Sequence, residues 1–147
     1  MLDQRTGPYG AFILRCVLGA LLIVHFLNKL LIFTPAGTAH MFEGLGLPGG
    51  LAYIVMCTEV VTGTCLILGV WPRAAALLAL PVLVGAIVFF HVHNGFAYNA
   101  PRGGGWEYPG FWAVALLVQA LLGDGAYALV NTPLPAALAQ VDRGHSA

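Results

Sequence analysis

Long apolar runs alternate along the chain with short clusters of Gly, Pro and polar residues, and this alternation predicts the elements. The first run covers residues 9–33 and ends at TPAGTAH, where Pro35 and Gly37 break it. A second, residues 51–70, follows GLGLPGG and stops at WPR, a connection short enough to force antiparallel neighbours. The third, residues 74–91, contains Pro81, which lacks a backbone donor and predicts a kink. Residues 94–107 form the longest loop, with Pro101 and the glycine run 103–105. A fourth run, residues 108–122, stops at GDG, after which AYALV is expected to continue along a membrane interface. About 20 apolar residues cross a hydrocarbon core. The expected fold is therefore all-α: an integral membrane four-helix bundle forming one domain over residues 1–130, with a polar C-terminal tail at 131–147.

Composition reinforces the membrane assignment. Hydrophobic residues make up 59% of the 147 and charged residues 8%, where a soluble domain carries about 25% charged. The formal net charge is zero and no basic run occurs, which excludes nucleic acid as a partner and leaves membrane lipid as the surroundings. Arg5, Arg15, Arg73 and Arg143 fall on the side of the amino terminus, and Lys29 and Arg102 on the other. The positive-inside rule then puts both termini on the cytoplasmic side. Trp71, Trp106, Tyr9, Tyr53, Tyr98 and Tyr108 stand near predicted helix ends, as an aromatic belt requires. The first run exceeds the roughly 7–15 apolar residues of a secretory signal core, and His25, Asn28 and Lys29 interrupt its far end. A retained helix is expected. Cys16, Cys57 and Cys65 form no CxxC pair and are expected to be buried small hydrophobes.

Against this background the ionisable residues stand out. Each costs about 2.5–3.5 kcal/mol deep in a bilayer, so each needs a partner or a task. His25 and Lys29, four residues apart, share one helical face. Glu59 lies roughly 13 Å below the start of the second helix at about 1.5 Å per residue, a depth similar to that of His25. The hairpin brings these groups together, with Lys29 one turn higher, able to reach Glu59 or to snorkel to water. Two readings stay open: an ion pair that fixes helix register, or a set that moves protons. Thr62 and Gly63 form a small face for close helix approach.

The same end of the bundle receives His91, His93 and Asn94 from the third helix and Trp106 and Glu107 from the fourth. Two histidines in HxH spacing point about 160° apart on a helix. A metal held by His91, His93 and Glu107 would need the helix to end between them, and Glu59 or His40 is the alternative third ligand. Interface histidines are the commoner explanation, so a metal is the lesser alternative. At the other end, Arg15, Gln119 and Asp124 read as helix-end snorkelling and hydrogen bonding between helices. No GxSxG, HExxH, phosphate loop or dinucleotide fingerprint occurs.

Several of these residues lie in longer patterns. Arg15 early in the first helix, HFLNKL ending at Leu30, LGLP, the mid-helix Glu59, LG-x-WPR-x-A, and the late GGGWEYPGFWAVALLVQALLGDGAYAL together resemble the DoxX family over residues 9–130. The resemblance implies a multi-pass four-helix protein of the bacterial inner membrane. It also implies a subunit of a redox system, quinone-linked, that works with a protein partner or as a homo-oligomer. Ala128 stands where the closing motif usually has Ser, so no role is carried to that position. By motif position the family points to Lys29, Glu59, His91 and Glu107, with Asn28 and His25 beside them. Glu59, His25 and Lys29 are expected to be the catalytic set, Glu59 and His25 relaying protons to a quinone oxygen and Lys29 holding the developing anion, with Asn28, His91, Trp106 and Glu107 contacting the ligand. The chain has no evident flavin, haem or cluster motif, so electrons would arrive from a partner protein. The competing expectation is a scaffold, anchor or small-solute carrier. Four helices with no inverted repeat make a poor secondary transporter.

Overall fold

A computed structural model describes residues 5–99 and 104–133 of the chain. Helix α1 (Gly7–Leu27) runs into a π-turn, Asn28–Ile32, and a short helix α2 (Pro35–Gly44) follows. The chain then forms α3 (Gly50–Leu68), α4 (Pro72–Ala86) with a second π-turn at Ile87–His91 and a single turn at Val92–Asn94, and α5 (Glu107–Leu122). Among the described residues the fold is all-α, apart from one isolated bridge between Val70 and Val130.

Three helical rods, Gly7–Ile32, Gly50–Leu68 and Pro72–Asn94, are long and apolar enough to cross a membrane. The 16 residues of α5 reach about 24 Å at roughly 1.5 Å per residue, short of a hydrocarbon core of about 30 Å. The long helices pack in a ring in the order α1, α3, α4, α5, giving a multi-pass membrane bundle. Leu18, Leu22, Leu66, Leu83, Trp112 and Leu116 fill its centre, and Ala75, Ala76 and Ala79 let α4 approach its neighbours. Close approach is tightest between α1 and α3: a Cβ on Gly19 would sit 2.7 Å from the Gly63 carbonyl oxygen.

Helix α2 departs from the expected plain loop. Pro35 occupies its first turn, and Thr34 Oγ1 accepts a hydrogen bond from the Gly37 amide at 3.1 Å. Residues that end one helix thus also start the next, because a proline without N–H and a capping hydroxyl suit a helix start. The helix buries Thr38 and Phe42.

At the end of the bundle that carries the described N-terminal residues, Arg15 is not a snorkelling side chain. It is 0% exposed, and its Nη1 donates to the carbonyls of Leu66 at 2.7 Å and Ile67 at 2.8 Å. Nη2 donates to the Ala126 carbonyl at 3.0 Å, and the guanidinium lies 5.0 Å from the Phe12 ring centroid. The last turn of α3 leaves carbonyls without helical partners, and lipid offers no water to satisfy them. A fixed cation at that negative helix end does so.

The segment after α5 is also placed differently from expectation. Gly123, with φ +103, ends the helix, and the chain folds back instead of following an interface. The Ala126 amide donates to the Pro8 carbonyl at 2.8 Å, and the Val130 amide to that of Gly69 at 3.0 Å. Gln119 caps its own helix by donating to the Gly123 carbonyl at 2.9 Å, and Asp124 accepts from the Thr132 amide and hydroxyl. Cys57 is exposed, whereas Cys16 and Cys65 are half-buried. Of the expected tail, residues 134–147 lie outside the described residues, as does Arg102.

Candidate functional site

The opposite end of the bundle encloses a cavity of about 700 Å³. Most of its wall is apolar: Phe33, Phe42, Ile54, Leu83, Phe89 and Phe90 among others. The two π-turns bound it, one bringing Asn28 and Lys29 to the wall and the other Phe89, Phe90 and His91. A π-turn adds a residue to a helical turn and re-aims the side chains that follow, which is why such turns recur at functional sites. Helix α2 covers the cavity with Met41 and Phe42, the latter packed 5.4 Å from the Phe90 ring.

Polar groups concentrate in one row along this wall. Lys29 Nζ donates to Glu59 Oε1 at 2.7 Å, with the carboxylate side chain 4% exposed and the lysine 16%. One turn back on α1, His25 packs its ring 5.0 Å from that of Trp112 on α5. Helix α1 therefore links a carboxylate on α3 to an indole on α5 through Lys29 and His25, and all four side chains line the cavity. Asn28 joins them, as does Thr58, whose hydroxyl donates to the Ile54 carbonyl.

His91 completes the wall from α4. Its Nδ1 lies 2.7 Å from the Gly104 carbonyl oxygen. A carbonyl can only accept, so Nδ1 carries the hydrogen and donates. Asn94 donates to the same carbonyl at 3.3 Å.

Four residues expected at the ligand or at a metal do not line the cavity. The Trp106 ring packs edge-on against Phe96 at 4.8 Å, and its amide donates to the Gly95 carbonyl at 3.1 Å. Glu107 accepts from the Tyr98 amide at 3.0 Å. Both tie residues 95–98 to the start of α5, where backbone groups outside a helix need partners. His93 sits on the single turn after the π-turn and is exposed. Among the described residues no group of three His, Cys, Asp or Glu side chains comes close enough to hold a metal. His40, the other candidate ligand, pairs at the surface with Glu43 at 3.3 Å.

Trp112 and Thr58 are wall residues that sequence reasoning missed, and for Trp112 the omission matters more because its indole joins the polar row. A signal existed: Trp112 lies more than a turn inside α5, away from the helix end where an aromatic belt would put it, and a buried indole N–H calls for a partner.

The DoxX family model matches residues 10–92, more than half of the chain. The chain belongs to the DoxX family. A relative from Bacillus subtilis (strain 168), named "Putative oxidoreductase CatD", is 31% identical over 97 residues, which is 66% of this chain and 71% of that protein. No solved structure matches the chain. In this DoxX protein the family segment contains Arg15, His25, Asn28, Lys29, Glu59 and His91. It therefore holds both the buried arginine at one end of the bundle and most of the polar row at the other. Trp112 and the rest of α5 lie beyond it.

Proposed function

We propose that this DoxX protein is the membrane subunit of a quinone-linked redox system, its cavity receiving the head-group ring of a lipophilic quinone. The observation that carries this is the ion pair of Lys29 and Glu59 set into the wall of a large apolar cavity. A ligand site in a bundle is mainly apolar, with a few placed polar groups. The relative's printed name as an oxidoreductase points the same way.

In this scheme a partner redox protein supplies two electrons, and two protons reach the ring oxygens by way of Glu59 and His25, converting quinone to hydroquinone. Lys29 offsets the negative charge that builds on the ring between these steps. In this reading both termini face the cytoplasm of a bacterium and the cavity lies towards the outer leaflet of the inner membrane, a reading supported by the excess of arginine on the side of the amino terminus.

Glu59→Gln keeps the shape and the bond to Lys29 but cannot exchange a proton. Partner-dependent quinone reduction in native membranes is expected to fall about 10²-fold or more, the usual weight of a positioned acid or base, with the protein's abundance unchanged. A normal rate per folded molecule would instead favour the scaffold or carrier reading.

A further inference from the structure

Four buried side-chain polar atoms among the described residues have no hydrogen-bond partner within the protein: Arg15 Nε, Gln119 Oε1, Glu59 Oε2 and Trp112 Nε1. The first two belong to the far end of the bundle. The other two belong to side chains that line the cavity, each 3% to 4% exposed. Buried polar groups in proteins almost always find partners. As the side chains stand, neither atom is open to the cavity, so a ligand meets them only after a small rotation of Glu59 and Trp112 within the wall, and what the pair then lacks describes what the cavity takes.

They are of opposite kind. In the ionised state that holds Lys29, between its proton transfers, the Glu59 carboxylate is acceptor only, and an indole nitrogen is donor only. A complementary ligand must present both a hydroxyl hydrogen and an oxygen with free lone pairs. A quinone offers carbonyl oxygens alone, which could satisfy the Trp112 N–H but would face Glu59 Oε2 lone pair to lone pair. A hydroquinone or another lipophilic phenol meets both needs. The rings of His25 at 5.0 Å and Tyr108 at 6.0 Å pack against the indole of Trp112.

We infer that the cavity selects the hydroxyl-bearing, reduced form of its ring ligand over the quinone, with Glu59 accepting from the ring hydroxyl and Trp112 acting as a second specificity-determining residue that donates to a ring oxygen. This rests on reading the cavity as a quinone site and adds which redox form it holds.

The test is isothermal titration of the full chain in lipid nanodiscs, with protein-free nanodiscs subtracted. The probes are a decyl-benzoquinone, its hydroquinone kept reduced without oxygen, and the redox-inert pair 4-decylphenol and its methyl ether. The wild type is expected to bind hydroquinone about tenfold more tightly than quinone, and the phenol about tenfold more tightly than the ether, as befits a hydrogen bond to a charged acceptor. In Glu59→Gln the amide oxygen keeps Lys29 and the amide nitrogen now donates, so the preference should turn towards the quinone. Trp112→Phe should weaken both forms by a similar factor and leave their ratio. Equal wild-type affinities for phenol and ether, or an unaltered preference in Glu59→Gln, overturn the inference. Tight quinone binding without preference for either form overturns it while leaving the redox reading in place. No binding of any probe overturns both. The wild-type phenol and ether comparison decides the point even where a variant fails to fold.

Discussion

Lys29→Met, made with Glu59 still in place, is expected to lower the stability of the bundle by about 3–5 kcal/mol, the usual cost of breaking a buried ion pair by removing one partner. The asymmetry of the pair explains the choice of residue. Glu59 is the more deeply buried member, and no other cation bonds to it among the described residues. Lys29 is the more exposed, on a flexible stem that can reach towards water, so losing the carboxylate should be milder than losing the lysine. The double variant Lys29→Met/Glu59→Leu should recover most of the loss, because well-packed apolar side chains often replace such a pair at no cost. Unfolding midpoints in detergent measure all three. Recovered stability with activity still at background would separate what the pair does for the ligand from what it does for the fold. A Lys29→Met protein as stable as wild type would show the carboxylate to be satisfied by something other than Lys29.

Arg15→Leu should be more damaging. Three carbonyls, two at the end of α3 and one in the segment after α5, lose their donor together, and hydrogen bonds to a charged group contribute about 1.5–3 kcal/mol each. The expected result is little folded protein in the membrane, with any that accumulates open to proteolysis near Ala126. Arg15→Lys should rescue only partly, since a single ammonium cannot reproduce a planar fork of donors. Gly69 shows how closely the region is fitted around the guanidinium: a Cβ there would lie 2.8 Å from Arg15 Nη1. Wild-type abundance and protease resistance in Arg15→Leu would contradict this role.

The contrast between Arg15 and Lys29 shows how far sequence reasoning reached. The bundle was legible because lipid imposes length and composition on every crossing segment, so four apolar runs broken by TPAGTAH, WPR and the long glycine-bearing loop translate almost directly into rods. The meeting of Lys29 with Glu59 was legible too, since a tight hairpin equates depths on neighbouring helices. Arg15 was misread because its partners are backbone carbonyls, and one of them belongs to a segment 111 residues away. No side-chain pattern records which carbonyls a helix end leaves open.

Helix α2 was hidden for a related reason: Pro35 and Gly37 signal a break, and only the Thr34 cap reveals that the break is also a beginning. Trp106 and Glu107 were drawn into the expected site because they share a level with the histidines. The loop's unpaired amides and carbonyls claimed them instead. The π-turns left no mark in the hydrophobic pattern, although they bring Lys29 and His91 to the wall. Level along a helix axis is readable from sequence, whereas azimuth after a π-turn is not.

Photoaffinity labelling of the full chain in proteoliposomes, with a short-chain azidoquinone followed by peptide mapping, tests the central claim most directly. A ring seated against the Lys29–Glu59 pair predicts adducts on the segments around residues 25–29, 54–59 and 89–91, suppressed by excess unlabelled quinone or hydroquinone. Label spread over outward-facing positions such as Leu31, Phe111 and Leu121, and indifferent to competitor, would contradict it.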